Sequence, residues 1–158
     1  YEMGLIKNKY VGRTFIQPTQ ELRDQGVRMK LSAVSSIVNQ ERVIMIDDSI
    51  VRGTTSRRII KLLKEAGAIE VHVRIASPAI KYPCFYGVDT STLDELISHK
   101  MTTQELCAYI GADSLAFISE EGLQKSIHFE KEHTCDLCMA CFNRKYVTPL
   151  YDNDFQDD

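Results

Sequence analysis

Two groups of residues in this 158-residue chain have types and spacings that do chemistry. The first is the run from Val43 to Ser56, VIMIDDSIVRGTTS, in which Asp47 and Asp48 follow four apolar residues and precede Ser49, Arg52, Gly53, Thr54, Thr55 and Ser56. Adjacent carboxylates can accept hydrogen bonds from a sugar diol, or hold Mg2+ through a few oxygens while a substrate's phosphates complete its shell. A hydroxyl-rich turn that opens a helix offers a phosphate backbone N–H groups, the helix dipole and side-chain hydroxyls. A monophosphate suits it. The run lacks the G-x-x-x-x-G-K-[ST] pattern of a triphosphate P-loop and the G-x-G-x-x-G pattern of a dinucleotide site. The plain alternative is a strand end with solvated acids and a threonine helix cap.

The second group is Cys135, Cys138 and Cys141, a C-x2-C-x2-C run, with Cys84 standing apart in Pro83-Cys84-Phe85. In a cytosolic protein this spacing points to metal or iron–sulfur binding more than to disulfides. Thiolates alone ligate a 4Fe-4S cluster, and zinc accepts four thiolates as well. The fifth cysteine, Cys107, lies beside Leu106 and Ile110 and reads as a buried apolar thiol.

The elements that must position these groups can be read around them. Val43 to Ile46 is a continuous apolar run of the kind that forms a strand buried on both faces of a parallel sheet. Ile59, Ile60, Leu63 and Ala66 then fall on one helical face, with Gly67 where a helix C-terminus wants it. Val71, Val73 and Ile75 alternate with His72, Arg74 and Ala76, which predicts the next strand and makes His72 a strand residue and not a ligand. Pro78, Pro83 and Gly87 mark a loop over 77–91, with Asp89, Thr90 and Ser91 near its end. Thr92-x-x-Glu95 and Thr102-x-x-Glu105 match the capping box and predict two short helices. Leu115 to Ile118 predicts a further buried strand, followed by a helix from Ser119. Residues 32–42 predict a short strand through Val34 to Val38 with a turn at Asn39-Gln40. Residues 1–12 carry no clear pattern.

IDDSIVRGTTS resembles the 5-phosphoribosyl 1-diphosphate (PRPP) signature of the type I phosphoribosyltransferases. The resemblance continues through Gly4-Leu5-Ile6-Lys7-Asn8, Gly12-Arg13-Thr14-Phe15-Ile16, Ser77-Pro78 and Pro83-Cys84-Phe85-Tyr86-Gly87-Val88-Asp89, to about Tyr151. Ser-Ile-Val-Arg between the acids and Gly-Thr-Thr-Ser is similar to the glutamine-dependent amidotransferase branch of that family. It implies an α/β fold with a parallel sheet flanked by helices: a partial phosphoribosyltransferase domain over 1–118, a mainly helical Cys-rich extension over 119–151 and an acidic tail over 152–158.

The resemblance also implies a function. Family members of this branch make 5-phosphoribosylamine from PRPP and ammonia, which an N-terminal glutaminase domain releases from glutamine in the first step of purine nucleotide synthesis. By this resemblance Asp47 and Asp48 serve the ribose hydroxyls and Mg2+, residues 52–56 the 5-phosphate, and Arg13 and Lys30, in a loop over 13–31 that closes on PRPP, the diphosphate. Ser32 stands where the family usually shows Asn. One subgroup carries a 4Fe-4S cluster, with ligands at Cys84, Cys138, Cys141 and an upstream cysteine; Cys135 is a further candidate. Purine nucleotides are implied as inhibitors, and a homo-oligomer as the assembly. Nothing in the chain resembles the glutaminase domain or the start of the transferase domain, so it reads as a fragment expected to lack turnover. A non-catalytic PRPP- or nucleotide-binding regulatory module of the same fold is the alternative.

Length and charge fit this reading. A chain of this size can bury one core. Its net charge of −3 is unlike the basic face of a nucleic-acid binder. No apolar run approaches the length of a membrane span, and the expected location is the cytoplasm.

Overall fold

The computed structural model describes residues 1–7, 31–88, 90, 92–127 and 137–149. Arg13, Lys30, Asp89, Ser91 and Cys135 lie outside the described residues, as do the loop over 13–30 and the acidic tail. The elements are strands β1 (Leu5–Lys7) and β2 (Leu31–Ala33), a single helical turn α1 (Ser35–Val38), β3 (Arg42–Asp47), helix α2 (Thr54–Glu65) and β4 (Glu70–Ile75). They continue with a 3-10 turn (Leu93–Glu95), α3 (Ile97–Lys100), α4 (Thr103–Ile110), β5 (Ser114–Phe117), α5 (Glu120–Ser126) and α6 (Ala140–Asn143).

Strands β3, β4 and β5 form one sheet in that order. Ile69 N–H donates to the Glu41 carbonyl at 2.9 Å and Ala76 N–H to the Asp47 carbonyl at 2.9 Å, so both strands advance in the same direction. Asp113 N–H to the Val71 carbonyl and Ile118 N–H to the Ile75 carbonyl show the same for β4 and β5. The sheet is parallel, and α2 is the crossover that joins β3 to β4, as parallel neighbours require. A second, two-stranded sheet pairs β1 with β2 antiparallel, Ile6 opposite Ser32.

The chain divides into two compact units. The first comprises Tyr1–Met45, Thr54–Val73 and Cys107–Ser114. Its buried hydrophobic residues, among those described, are Val38, Met45, Ile59, Ile60, Leu63, Val71, Val73 and Ile110. Helix α2 presents Ile59, Ile60 and Leu63 to this core and leaves Arg57, Lys61 and Lys64 outside, the division its 3.6-residue period predicts. The second unit comprises Ile46–Gly53, Arg74–Leu106 and Leu115–Asp158, and buries Ile50, Ile75, Leu96, Ile97, Leu106, Met139 and Ala140.

Three expectations are corrected. Val34 to Val38 is not a strand: Val34 N–H ends the β1–β2 pairing on the Gly4 carbonyl at 2.9 Å, and Val38 N–H then bonds back to the Val34 carbonyl, closing a helical turn that tucks Val38 inward. The turn at Asn39-Gln40 is present, with Gln40 at φ 63°. The central strand is not buried on both faces: Met45 is 5% exposed, while Ile44 and Ile46 on the opposite face are 64% and 72% exposed. Alternating side chains point to opposite faces, so described residues cover one set and leave the other open. The first capping box does not form, because Thr92 makes no side-chain cap bond and the Glu95 carboxylate is engaged by Arg52.

The second box forms in full. Thr102 N–H donates to Glu105 Oε2 at 2.8 Å, and Glu105 N–H donates to Thr102 Oγ1 at 3.3 Å. Ser119 caps α5 by accepting the Gly122 N–H at 3.0 Å. No described helix is long and apolar enough to cross a membrane.

Candidate functional site

Strand β3 ends at Asp47, whose carbonyl is held by the Ala76 N–H. The chain then turns on its own acids. Asp48 N–H donates to Asp47 Oδ1 at 3.0 Å, and Ser49 N–H donates to Asp48 Oδ1 at 2.6 Å with its Oγ at 3.4 Å. One oxygen of each carboxylate thus shapes the turn. Asp47 is half-buried and Asp48 exposed. Burial pushes the Asp47 carboxyl above its ordinary value, the Asp48 N–H pulls it back in part, and the charge of Asp48 raises it again. A divalent cation at the pair would reverse that cost, because it favours both ionised forms.

Beyond the acids, Ile50 is buried at 2% exposure and the Val51 carbonyl accepts the Ile97 N–H at 2.9 Å, which fastens the turn. Arg52 is exposed and its Nη2 lies 2.6 Å from Glu95 Oε1. Gly53 is buried with φ 72°, in the left-handed region that a side chain disfavours. Thr54 directly follows as the first residue of the 12-residue helix α2. Thr54 and Thr55 are exposed and Ser56 is buried. A helix of this length has unsatisfied N–H groups in its first turn and a positive dipole end there.

The Cys84 loop and the segment over 137–149 lie together in the second unit. Lys81 N–H and Tyr82 N–H both donate to the Cys141 carbonyl at 3.0 Å, and the Tyr146 hydroxyl donates to the Pro83 carbonyl at 2.8 Å. Phe85 and Tyr146 pack at a tilt of 60° with ring centroids 5.2 Å apart. Burial raises the Cys141 thiol above its ordinary value, and the charges of Cys84 and Cys138 raise it further, as expected of three sulfurs in one neighbourhood. Tyr86 N–H points at Cys84 Sγ, 3.4 Å away. All three cysteines are free. Among the described residues, no group of three or more His, Cys, Asp or Glu is arranged to hold a metal ion. The donors are right in kind for a thiolate-ligated cluster, and the described ones alone do not close a site.

Sequence reasoning missed two features here. The ion pair of Arg52 with Glu95 joins positions far apart in the chain and carries no local signal. The cap of segment 137–149 on the Cys84 loop rests on Tyr146 and Tyr86, whose spacing has no period to detect; Tyr86 Oη and Thr148 Oγ1 are 3.0 Å apart.

The fold is the type I phosphoribosyltransferase fold. A solved structure of glutamine PRPP amidotransferase from B. subtilis, complexed with ADP and GMP, matches with a TM-score of 0.84 and 60% identity, over 97% of this chain and 34% of that one. A solved structure of the allosteric regulatory enzyme of purine biosynthesis matches with the same TM-score and identity over 97% of this chain and 33% of that one. In sequence the chain is similar to amidophosphoribosyltransferases: 61% identical over 152 residues to that of Bacillus subtilis strain 168, covering 96% of this chain and 32% of the relative. That of Staphylococcus aureus strain Mu50 / ATCC 700699 is 58% identical over 153 residues, covering 96% and 31%. The chain therefore spans about a third of the length of these relatives. No family model matches it.

Proposed function

We propose that the chain supplies the PRPP-binding part of an amidophosphoribosyltransferase, the enzyme that forms 5-phosphoribosylamine from PRPP and glutamine-derived ammonia. The observation that carries this reading is the order along one segment: a strand end with two acids, a buried glycine at positive φ, then Thr54 and Thr55 opening a helix. In this reading residues 52–56 hold the 5-phosphate by backbone N–H groups and hydroxyls. Asp47 and Asp48 accept hydrogen bonds from the ribose hydroxyls and hold Mg2+ through the oxygens not used in the turn, while Mg2+ when bound neutralises charge on the diphosphate. The lone pair of ammonia attacks the anomeric carbon, the carbon–oxygen bond to diphosphate breaks with its electron pair on the leaving group, and the nitrogen then gives up one proton, to solvent or to the departing diphosphate, to leave the neutral amine. Arg13 and Lys30 are assigned to that developing charge. Positioning and electrostatics supply the rate, without a covalent enzyme intermediate.

The relatives' greater length leaves room for the glutaminase part that delivers ammonia. Purine nucleotides would inhibit by taking the same phosphate site, and the whole protein would work as a cytoplasmic homo-oligomer. Cys84, Cys138 and Cys141 would hold a 4Fe-4S cluster with a fourth ligand from Cys135 or from outside this chain; the hydrogen bonds of Lys81 N–H and Tyr82 N–H to the Cys141 carbonyl, which bring the Cys84 loop to the segment over 137–149, support it. Its role would be structural, since the reaction has no redox step. The test is calorimetry of Mg-PRPP and AMP binding to the chain and to Thr54→Ala/Thr55→Ala. Loss of affinity for both ligands is expected; an unchanged AMP affinity places the phosphate elsewhere.

A further inference from the structure

The segment over 137–149 is fastened to the Cys84 loop by bonds that use no sulfur. The Lys81 and Tyr82 N–H groups share the Cys141 carbonyl, each at 3.0 Å, and the Tyr146 hydroxyl donates to the Pro83 carbonyl at 2.8 Å, across 63 positions of sequence. The Tyr86 hydroxyl accepts the Thr148 N–H at 3.1 Å and lies 3.0 Å from Thr148 Oγ1. The fastening is therefore reciprocal: a tyrosine of the segment reaches the loop, and a tyrosine of the loop reaches the segment.

Apolar contact backs these bonds. The Tyr146 ring lies 5.2 Å from that of Phe85 and 6.3 Å from that of Tyr86, centroid to centroid, tilted in both cases. Pro83 is almost fully enclosed, and Met139 and Ala140 at the start of α6 are 8% and 2% exposed. At the end of α6, Asn143 Nδ2 donates to Glu120 Oε2 at 3.0 Å, which ties the same segment to α5. The loop also closes on itself, with Cys84 N–H donating to the carbonyl of buried Thr90 at 3.1 Å.

Cys84, Cys138 and Cys141 take part in none of the bonds between loop and segment through their sulfurs, and all three are free. A metal centre whose ligands are far apart in sequence ordinarily gathers its chain segments as it binds, so that metal affinity and folding become one equilibrium. Gathering them costs loop-closure entropy. Here the hydroxyl and backbone bonds offset that cost, and they are available whether or not the thiols are ligated. Such preorganisation strengthens binding without adding a contact to the ligand.

We propose that Tyr86 and Tyr146 are positioning residues: their hydroxyls clasp the segment over 137–149 to the Cys84 loop independently of metal, so that the two cysteine-bearing pieces are assembled before a thiophilic centre is taken up. The use of the clasp rests on the cluster reading above, whereas its closure rests on the tyrosine contacts. Removing one phenolic hydroxyl opens the clasp in part and leaves the ring in place.

The test is amide hydrogen exchange on the 158-residue chain, kept reduced and in chelator, followed by anaerobic reconstitution with iron and sulfide. The Lys81, Tyr82 and Thr148 amides of the parent are expected to exchange slowly in chelator. Tyr146→Phe should speed Lys81 and Tyr82 about fivefold, the equivalent of one hydrogen bond of about 1 kcal/mol, and Tyr86→Phe should do the same at Thr148. The Ile60 and Leu63 amides of α2, which belong to the other unit, should keep the parent's rates, separating release of the clasp from loss of the fold. Thr148→Val, which removes one partner of the Tyr86 hydroxyl, serves should either tyrosine variant melt early. On reconstitution both tyrosine variants should form the cluster chromophore severalfold more slowly than the parent and reach the same final spectrum. Fast exchange at Lys81 and Tyr82 in the parent until iron is added would mean that the metal gathers the segments, and overturns the proposal. So do tyrosine variants with the parent's exchange rates or its rate of cluster formation. A parent that takes up no iron refutes the cluster reading, and the exchange rates then decide the clasp by themselves.

Discussion

Arg52 Nη2 sits 2.6 Å from Glu95 Oε1, so the one cation inside the acid-to-hydroxyl turn is held by a carboxylate 43 residues further along. The pair is exposed on both sides. Glu95→Gln should release the guanidinium and strengthen binding of ribose 5-phosphate to the turn, by no more than about 1 kcal/mol, the upper range for exposed ion pairs. Calorimetric titration checks this; weaker binding would mean that the pair positions the turn for its ligand.

Asp47 should trade stability against binding. Its carboxyl titrates above the ordinary 3.8 in the folded chain because burial disfavours the charge. The sign follows from linkage: the folded state prefers the protonated form, so this contribution is present below the unfolded value and is lost as pH rises through the folded one. Asp47→Asn should therefore melt no lower than the parent at neutral pH and lose the acid-favoured component, while Mg-PRPP binding falls steeply. Asp48→Asn should weaken the same binding. Titration calorimetry in which both variants bind as the parent does removes the roles assigned to them.

Gly53 is constrained by its φ of 72°. Gly53→Ala places a Cβ in the left-handed region, at a cost of about 1–2 kcal/mol. Denaturant unfolding measures that loss, and a parallel fall in AMP affinity would follow from distortion of the turn before Thr54.

Asp113 should carry acid sensitivity. Its Oδ2 accepts the N–H of fully buried Val71 at 2.7 Å and lies 3.3 Å from Lys64 Nζ. The Val71 hydrogen bond, and then the Lys64 partner, hold its carboxyl below the ordinary value of 3.8. A depressed pKa contributes stability that is present above the unfolded value and fades as pH falls through the folded one. Asp113→Ala leaves the Val71 N–H unpartnered and should cost about 1–3 kcal/mol at neutral pH. Urea unfolding at neutral and acid pH should show that difference narrowing below pH 3.8.

Anaerobic reconstitution with iron and sulfide should give the chain a cluster chromophore that Cys84→Ser, Cys138→Ser or Cys141→Ser removes. No iron uptake by the parent chain would leave the three as free cysteines without a cluster.

Much of the sheet was legible because its signals are local. The apolar run before Asp47 became β3, the alternation at Val71, Val73 and Ile75 became β4, and the 3.6-residue period of α2 placed Ile59, Ile60 and Leu63 inside. The same local logic worked for Thr102 with Glu105 and failed for Thr92 with Glu95. Nothing near Glu95 announces that Arg52 will take its carboxylate. Val34 to Val38 misled for a similar reason: apolar β-branched residues favour a strand, but pairing with Leu5–Lys7 was already complete at Leu31–Ala33.

The sequence by itself determined the order of chemistry along the chain: the twin acids, the glycine and the hydroxyls at the start of a helix, since these depend on neighbours within a few residues. Tertiary structure alone decided which partner Arg52 keeps, that Ile44 and Ile46 face outward, and that Tyr146 and Cys141 close on the Cys84 loop. Those outcomes depend on residues tens of positions apart meeting once the backbone is packed, and no local pattern encodes such a meeting.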